Sequence, residues 1–197
     1  DVPAHMNSVA FSPDGAVAVA YLDYEQGTDI EIDGAVDLTE VLFVPLGGGE
    51  TRAVSIGFSP RNILFTPDNQ RAVIMSRSEV VVVSLDTFEI VTTYPLVLDQ
   101  DQEVNPQDAV LTPDGRYALV SVEGSSELYK LDLQSPNIDI EDLDSPPSDL
   151  VVSVDDNSVV IVYAGLNRVD ILDLDVFELR EPIALDDPMN GVLLSAG

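Results

Sequence analysis

Asp108-Ala109-Val110-Leu111-Thr112-Pro113-Asp114-Gly115-Arg116-Tyr117-Ala118-Leu119-Val120 decides the fold. A Thr-Pro-Asp-Gly tetrapeptide with Pro second, Asp third and Gly fourth is the residue preference of a type I turn. Here it joins two short apolar runs. The same turn stands at Ser12-Pro13-Asp14-Gly15, at Thr66-Pro67-Asp68-Asn69 and, without its Pro and Gly, at Ser153-Val154-Asp155-Asp156. The copies start 54, 46 and 41 residues apart, and Ser195 opens another 42 residues on. Repeats of this length, each holding several short strands, indicate the blades of a β-propeller.

Aligned on the turn, each unit reads as four strands. The first precedes the turn (Val9–Phe11, Ile63–Phe65, Val110–Leu111, Leu150–Val152). The second follows it (Val17–Leu22, Ala72–Met75, Tyr117–Val122, Val159–Tyr163). A third comes next (Val41–Val44, Val80–Leu85, Glu127–Leu131, Val169–Leu172), and a more polar fourth closes the unit (Arg52–Phe58, Ile90–Leu98, Ile138–Leu143, Leu179–Leu185). The middle strands are near-continuous apolar runs, as expected of sheets covered on both faces. The outer strands carry charges such as Asp142 and Glu181, which protect an edge. Asp86, Asp132 and Asp173 each lie 20 residues after a turn Ser or Thr and are expected to cap the turn into the fourth strand.

The fold expected is all-β: four four-stranded antiparallel blades at about 1–58, 59–104, 105–146 and 147–187, plus the first strand of a fifth at 188–197. That last strand is surplus, because the first unit already has four. The reading expects the natural chain to continue into a ring of about seven blades, with a symmetric dimer of four-bladed halves as the alternative.

The turns and the unit around Thr112-Pro113-Asp114-Gly115 resemble the SPDG-type propeller repeats of the YVTN and TolB-like families. The resemblance covers nearly the whole chain. It implies a propeller found in surface-layer proteins, periplasmic accessory proteins and some lactonases, and leaves activity open, because one fold hosts many functions.

Composition narrows the field. The 197 residues are 45% apolar, enough for a packed core, and no run approaches the roughly 18 apolar residues of a membrane-spanning helix. Cysteine is absent, which removes disulfides and thiolate metal sites. Thirty-six carboxylates against eight basic residues give a net charge of −28. Nucleic-acid binding needs a basic footprint, and anionic lipid would repel this chain, so neither is an expected partner. A solvated acidic surface, adaptation to high salt and divalent-cation binding all fit the charge.

The last of these has a specific carrier. The first unit is longer than the third, and its extra residues fall between the second and third strands, in Asp23–Glu40, with seven carboxylates and no base. Asp29, Glu31, Asp33 and Asp37 occupy loop positions 1, 3, 5 and 9, with Gly34 at 6, the Ala35 carbonyl at 7 and Glu40 at 12. Ca²⁺ takes six to eight oxygens, and a tight turn at the glycine lets such positions converge. The spacing resembles the calcium loop of EF-hands and of integrin-type propeller hairpins. Position 3 is Glu, however, and Ile30 and Ile32 stand where polar residues are common. An alternating strand running into an Asp-Gly turn is therefore the competing reading. A second acidic stretch, Asp99-Gln100-Asp101-Gln102-Glu103, reads as a solvated loop expected on the same side as the first.

Catalytic signals are thin. His5 is the single histidine, no G-x-S-x-G elbow surrounds Ser8, Ser153 or Ser195, and Gly47-Gly48-Gly49 lacks the Lys of a phosphate loop. Asn7, Asn62, Asp108, Asp149 and Asn190 recur four or five residues before each turn and are expected to bond the backbone of the adjoining blade. Two functions follow: an exported, non-enzymatic binding or structural module, calcium-stabilised, whose partner is a protein or extracellular ligand together with further blades in the same chain or a second copy; or a lactonase-like, metal-dependent hydrolase.

Overall fold

The computed structural model describes residues 5–23, 39–96, 104–153 and 157–187. They form strands and turns, in two compact units, residues 1–104 and 105–197. The first unit holds two sheets. One runs β1 (Ser8–Phe11), β2 (Val17–Tyr21), β3 (Glu40–Pro45), β4 (Arg52–Ser55); the next runs β5 (Asn62–Phe65), β6 (Arg71–Ser76), β7 (Glu79–Ser84), β8 (Ile90–Pro95). In the second unit, β9 (Pro106–Leu111), β10 (Tyr117–Val122), β11 (Glu127–Asp132) and β12 (Ile138–Asp142) make the third sheet. The fourth holds β13 (Asp149–Ser153), β14 (Ser158–Val162), β15 (Arg168–Asp173) and two short pieces, β16 (Glu178–Leu179) and β17 (Ile183–Ala184). Every sheet is an antiparallel meander in chain order.

The repeated turn explains why the first two strands of each sheet pair where they do. In the first, the Ser12 hydroxyl donates to Asp14 Oδ1 at 2.6 Å and accepts from the Val17 amide at 2.9 Å, while the Ala16 amide donates to Asp14 Oδ1 at 3.0 Å. The same triangle joins Thr66, Asp68, Gln70 and Arg71, and again Thr112, Asp114, Arg116 and Tyr117. Position four takes positive φ (68° at Gly15, 55° at Asn69, 68° at Gly115), which glycine accepts without strain and asparagine tolerates. Ser12, Thr66 and Thr112 are buried, so each hydroxyl needs these partners. Residues 154–156 of the fourth turn lie outside the described residues.

Side-chain rows of adjacent sheets interdigitate. In unit one, Val19, Tyr21, Val41, Phe43 and Val54 of the first sheet pack with Ile63, Ala72, Ile74, Val81 and Val83 of the second. Phe43 stacks on Phe88 at 5.1 Å. Polar ties cross the same seam: Tyr21 Oη donates to the Arg61 carbonyl at 3.1 Å and Arg52 Nη1 to that of Thr87 at 2.7 Å. In unit two, Leu119 and Leu128 pack with Leu150, Val159, Ile161 and Leu172.

Two expectations change. The last strand was expected to run unbroken over Leu179–Leu185. Instead, Leu172 pairs Leu179 whereas Val169 pairs Ile183, so one extra residue enters between β16 and β17. Pro182 sits in the break and has no N–H to give the ladder, which an edge strand tolerates. Asp132 and Asp173 do cap their turns, accepting the amides of Gln134 at 3.0 Å and Asp175 at 2.9 Å. Asp86 is not their equivalent. The β6–β7 hairpin closes with two residues where β10–β11 uses four, so Ser84 ends β7 and its hydroxyl accepts the Thr87 amide at 3.3 Å. The expected strand at 188–197 lies outside the described residues.

Candidate functional face

Each sheet has two ends. One carries the Ser/Thr-Pro-Asp turns, whose polar groups bond one another. The other carries the connections from second to third strands and those leading to the next sheet. The acidic segment belongs to this connection end. Of its proposed ligands, Glu40 is the half-buried first residue of β3, opposite Ser55. Asp29, Glu31, Asp33, Ala35 and Asp37 lie outside the described residues, as does Asp99–Glu103. Among the described residues, no group of three or more His, Cys, Asp or Glu side chains is placed to hold a metal ion.

In unit one, Asn7 and Asp23 clasp each other: Asn7 Nδ2 donates to the Asp23 carbonyl at 2.9 Å and the Asp23 amide returns a bond to Asn7 Oδ1 at 2.7 Å. Asn7 therefore ties strands of its own sheet rather than the neighbouring one. At the start of β7, burial pushes the Glu79 carboxyl above its ordinary range.

In unit two, Asp108 performs the expected role. Its Oδ2 accepts the Leu150 amide, on the first strand of the next sheet, at 3.0 Å, and its Oδ1 accepts its neighbour Ala109 at 2.8 Å. Burial raises its pKa; the two amides work against that rise and the nearby charge of Asp149 adds to it. On β11, Tyr129 donates to Glu127 Oε2 at 2.7 Å, and burial together with that carboxylate lifts the phenol to about 12.

The densest polar cluster lies at the start of β15. Asp170 occupies the row Leu150–Ile161–Asp170, where the second sheet has Ile63–Ile74–Val81. A carboxylate thus stands in the apolar seam, only 5% exposed. Tyr163 Oη donates to its Oδ2 at 2.6 Å, and Arg168 Nη2 bridges that oxygen at 3.3 Å to Asp144 Oδ2 at 2.8 Å. Burial first, then Asp170, raises the Tyr163 phenol, so it remains a donor at every physiological pH. Asp170 Oδ1 and Arg168 Nε are buried and meet no hydrogen-bond partner among the described residues. A donor and an acceptor left over in one buried cluster fit water or a ligand that supplies both.

Sequence reading did not single out Tyr129, Tyr163, Arg168 or Asp170. The available signal was Asp170 interrupting the apolar run Val169–Leu172. His5, just before β1, is half-buried.

No protein-family model matches the chain, and no curated protein matches it. Solved structures do. Dihydro-heme d1 dehydrogenase NirN in complex with DHE aligns with a TM-score of 0.68 at 16% identity, over 94% of this chain and 38% of its own. Kuenenia stuttgartiensis hydrazine synthase aligns at 0.66 and 18% identity, over 92% and 49%. The periplasmic gluconolactonase PpgL of Pseudomonas aeruginosa aligns at 0.62 and 17% identity, over 93% and 55%. The chain thus spans between about two fifths and just over half of these neighbours. At such identities the likeness concerns fold alone, and together with the four sheets it makes this chain a β-propeller.

Proposed function

We propose that the chain is an exported, non-enzymatic β-propeller of the SPDG-repeat class that binds a protein or other extracytoplasmic ligand at the connection end of its sheets. Calcium held by Asp29, Glu31, Asp33, Asp37, Glu40 and the Ala35 carbonyl organises that end of the first sheet. The observation that carries the reading is the Tyr163–Asp170–Arg168 cluster, where a buried acceptor and donor remain open at an end otherwise rich in carboxylates. Export is supported by the likeness to a periplasmic gluconolactonase.

The same likeness favours a second reading, a lactonase-like hydrolase that uses a divalent metal among the carboxylates of this end. Gluconolactone and gluconate separate the two. On the binding reading, lactone opens at its spontaneous rate with calcium present or absent. A ligand docking at this end raises the melting temperature of wild type more than that of Asp170→Asn. Calcium-dependent hydrolysis above the spontaneous rate replaces the first reading with the second.

A further inference from the structure

The seams inside the two units follow one plan, and unit two departs from it at one place. The strand registers set Ser121 where unit one has Tyr21, and set Tyr163, Arg168 and Asp170 where it has Ser76, Glu79 and Val81. In unit one the first sheet supplies the phenol, Tyr21, whose Oη donates to the Arg61 carbonyl, and the second sheet supplies the small residue, Ser76. In unit two these roles are exchanged: the third sheet holds the buried Ser121 and the fourth holds Tyr163. Tyr163 donates to a side chain of its own sheet, Asp170, instead of to backbone. A buried phenol needs an acceptor, which accounts for a carboxylate where Val81 keeps the other seam apolar.

Asp170 brings two oxygens, and one is used. Oδ2 accepts from Tyr163 Oη at 2.6 Å and from Arg168 Nη2 at 3.3 Å, whereas Oδ1 meets no partner among the described residues. Nη2 and Nε form one edge of a guanidinium, the edge that meets both oxygens of a carboxylate in a bidentate pair. Here that pair is half closed. Nε is buried and also meets no partner among the described residues, and Nη2 makes its shorter bond, 2.8 Å, to Asp144 Oδ2. The Asp144 side chain is 79% exposed, so it holds the guanidinium toward solvent and off the bidentate fit.

We infer that the gap between Arg168 Nε and Asp170 Oδ1 is a binding position for one hydroxyl oxygen, which accepts from the first and donates to the second. The inference rests on reading this cluster as the open position of the connection end, and it names the group that a ligand inserts there. Acceptor-only groups, such as carboxylates and phosphates, leave Oδ1 unmet and face the carboxylates of Asp170 and Asp144. Donor-only groups, such as ammonium, leave Nε unmet and face a guanidinium. Water and the hydroxyl of a neutral polyol carry a donor and an acceptor on one atom. Both open atoms are buried, so the position is that of a single oxygen.

The test follows the Arg168 Nε–H proton by NMR in wild type and Asp144→Ala, with ethylene glycol, acetate and methylammonium added in turn. Molar NaCl screens the net charge of −28, which would otherwise gather the cation. In wild type the proton is expected to show a cross-peak to a long-lived oxygen-bound proton. Replacement of the water cross-peak by one to ethylene glycol identifies a polyol as able to enter; a water cross-peak that the glycol leaves unchanged identifies solvent as the source. Asp144→Ala alters an exposed side chain, frees Nη2, and is expected to let Arg168 close on both Asp170 oxygens and abolish the cross-peak. A wild-type proton with no bound oxygen overturns the inference. So does a larger response to acetate or methylammonium than to the glycol, or an equally strong cross-peak in Asp144→Ala. The melting response of Asp170→Asn to a docked ligand reads the proposed function separately. A bound oxygen without that response removes the proposed function and keeps this inference, and the reverse pattern removes this inference alone.

Discussion

Asp108 Oδ2 accepts the Leu150 amide at 3.0 Å, so one side chain on the first strand of the third sheet fastens the first strand of the fourth. Because Oδ1 also accepts the Ala109 amide, both oxygens are occupied by backbone donors that have no other role in the ladder. Asp108→Ala leaves these amides to find other partners and is expected to cost about 1–3 kcal/mol, the range for a half-buried group left unsatisfied. Asp108→Asn keeps one acceptor and is expected to cost less. Urea unfolding of the three proteins measures both.

Protonation acts in opposite directions at the two ends of the sheets. The Ser12 hydroxyl, followed by the Ala16 amide, holds Asp14 below its ordinary pKa, and the Thr66 hydroxyl likewise lowers Asp68, though burial opposes it. For a depressed carboxylate, the stabilisation is complete above the unfolded value near 3.9 and is lost as pH falls through the folded value. Glu79 and Asp108, raised by burial, contribute stability when protonated and lose it as pH rises through their folded values. Asp68→Asn is therefore expected to flatten the loss of stability below about pH 4, and Glu79→Gln to flatten the loss on rising above the ordinary carboxylate range. Melting curves across pH for both variants check the two signs separately.

Gly57 follows β4 in a place with no room for a side chain. A Cβ there would collide with Ser76 Oγ and the Glu79 carboxylate, and would lie 2.7 Å from Glu79 Cγ. Ser76 is fully buried, so it cannot swing into solvent. Gly57→Ala is expected to destabilise by about 1–3 kcal/mol, the usual cost of overpacking. The double variant Gly57→Ala with Ser76→Ala is expected to recover part of this. Chemical denaturation of the single and double variants gives the comparison.

The charge balance predicts a salt response. With 36 carboxylates and eight bases, self-repulsion opposes the compact state, and screening relieves it. The ion pair of Arg52 with Glu89 at 3.5 Å is exposed at both partners, and salt costs little by weakening a pair of this kind. The melting temperature is expected to rise from low to molar NaCl. A flat response contradicts the argument.

What could be read from sequence followed from local rules. Thr112-Pro113-Asp114-Gly115 needs only its own residues to make its turn, and the apolar runs around it need only period and composition. The Asp86 assignment failed because it counted residues across a hairpin whose length varies: Arg77–Ser78 closes one and Glu123–Ser126 the other. The break at Pro182 was legible as chemistry but not as register. The Asp170 cluster was hidden for a deeper reason. Which side of β15 Asp170 faces, and that Tyr163 and Arg168 reach it there, follow from pairing with Ile161 across β14, and pairing is a property of the folded sheet.

The functional proposal places cation and ligand at the connection end and leaves the Ser/Thr-Pro-Asp turns to structure. Amide-resolved NMR during a calcium titration tests this most directly. Sites of extracellular type bind at about 10⁻⁴–10⁻³ M, so millimolar calcium is the range to cover. The account predicts saturable shifts in Asp29–Glu40 and in the adjoining Asn7, Asp23 and Ser55, little change at Gly15, Asn69 and Gly115, and loss of the response in Asp33→Ala. Identical shifts in wild type and Asp33→Ala, or shifts spread equally over both ends, would contradict it.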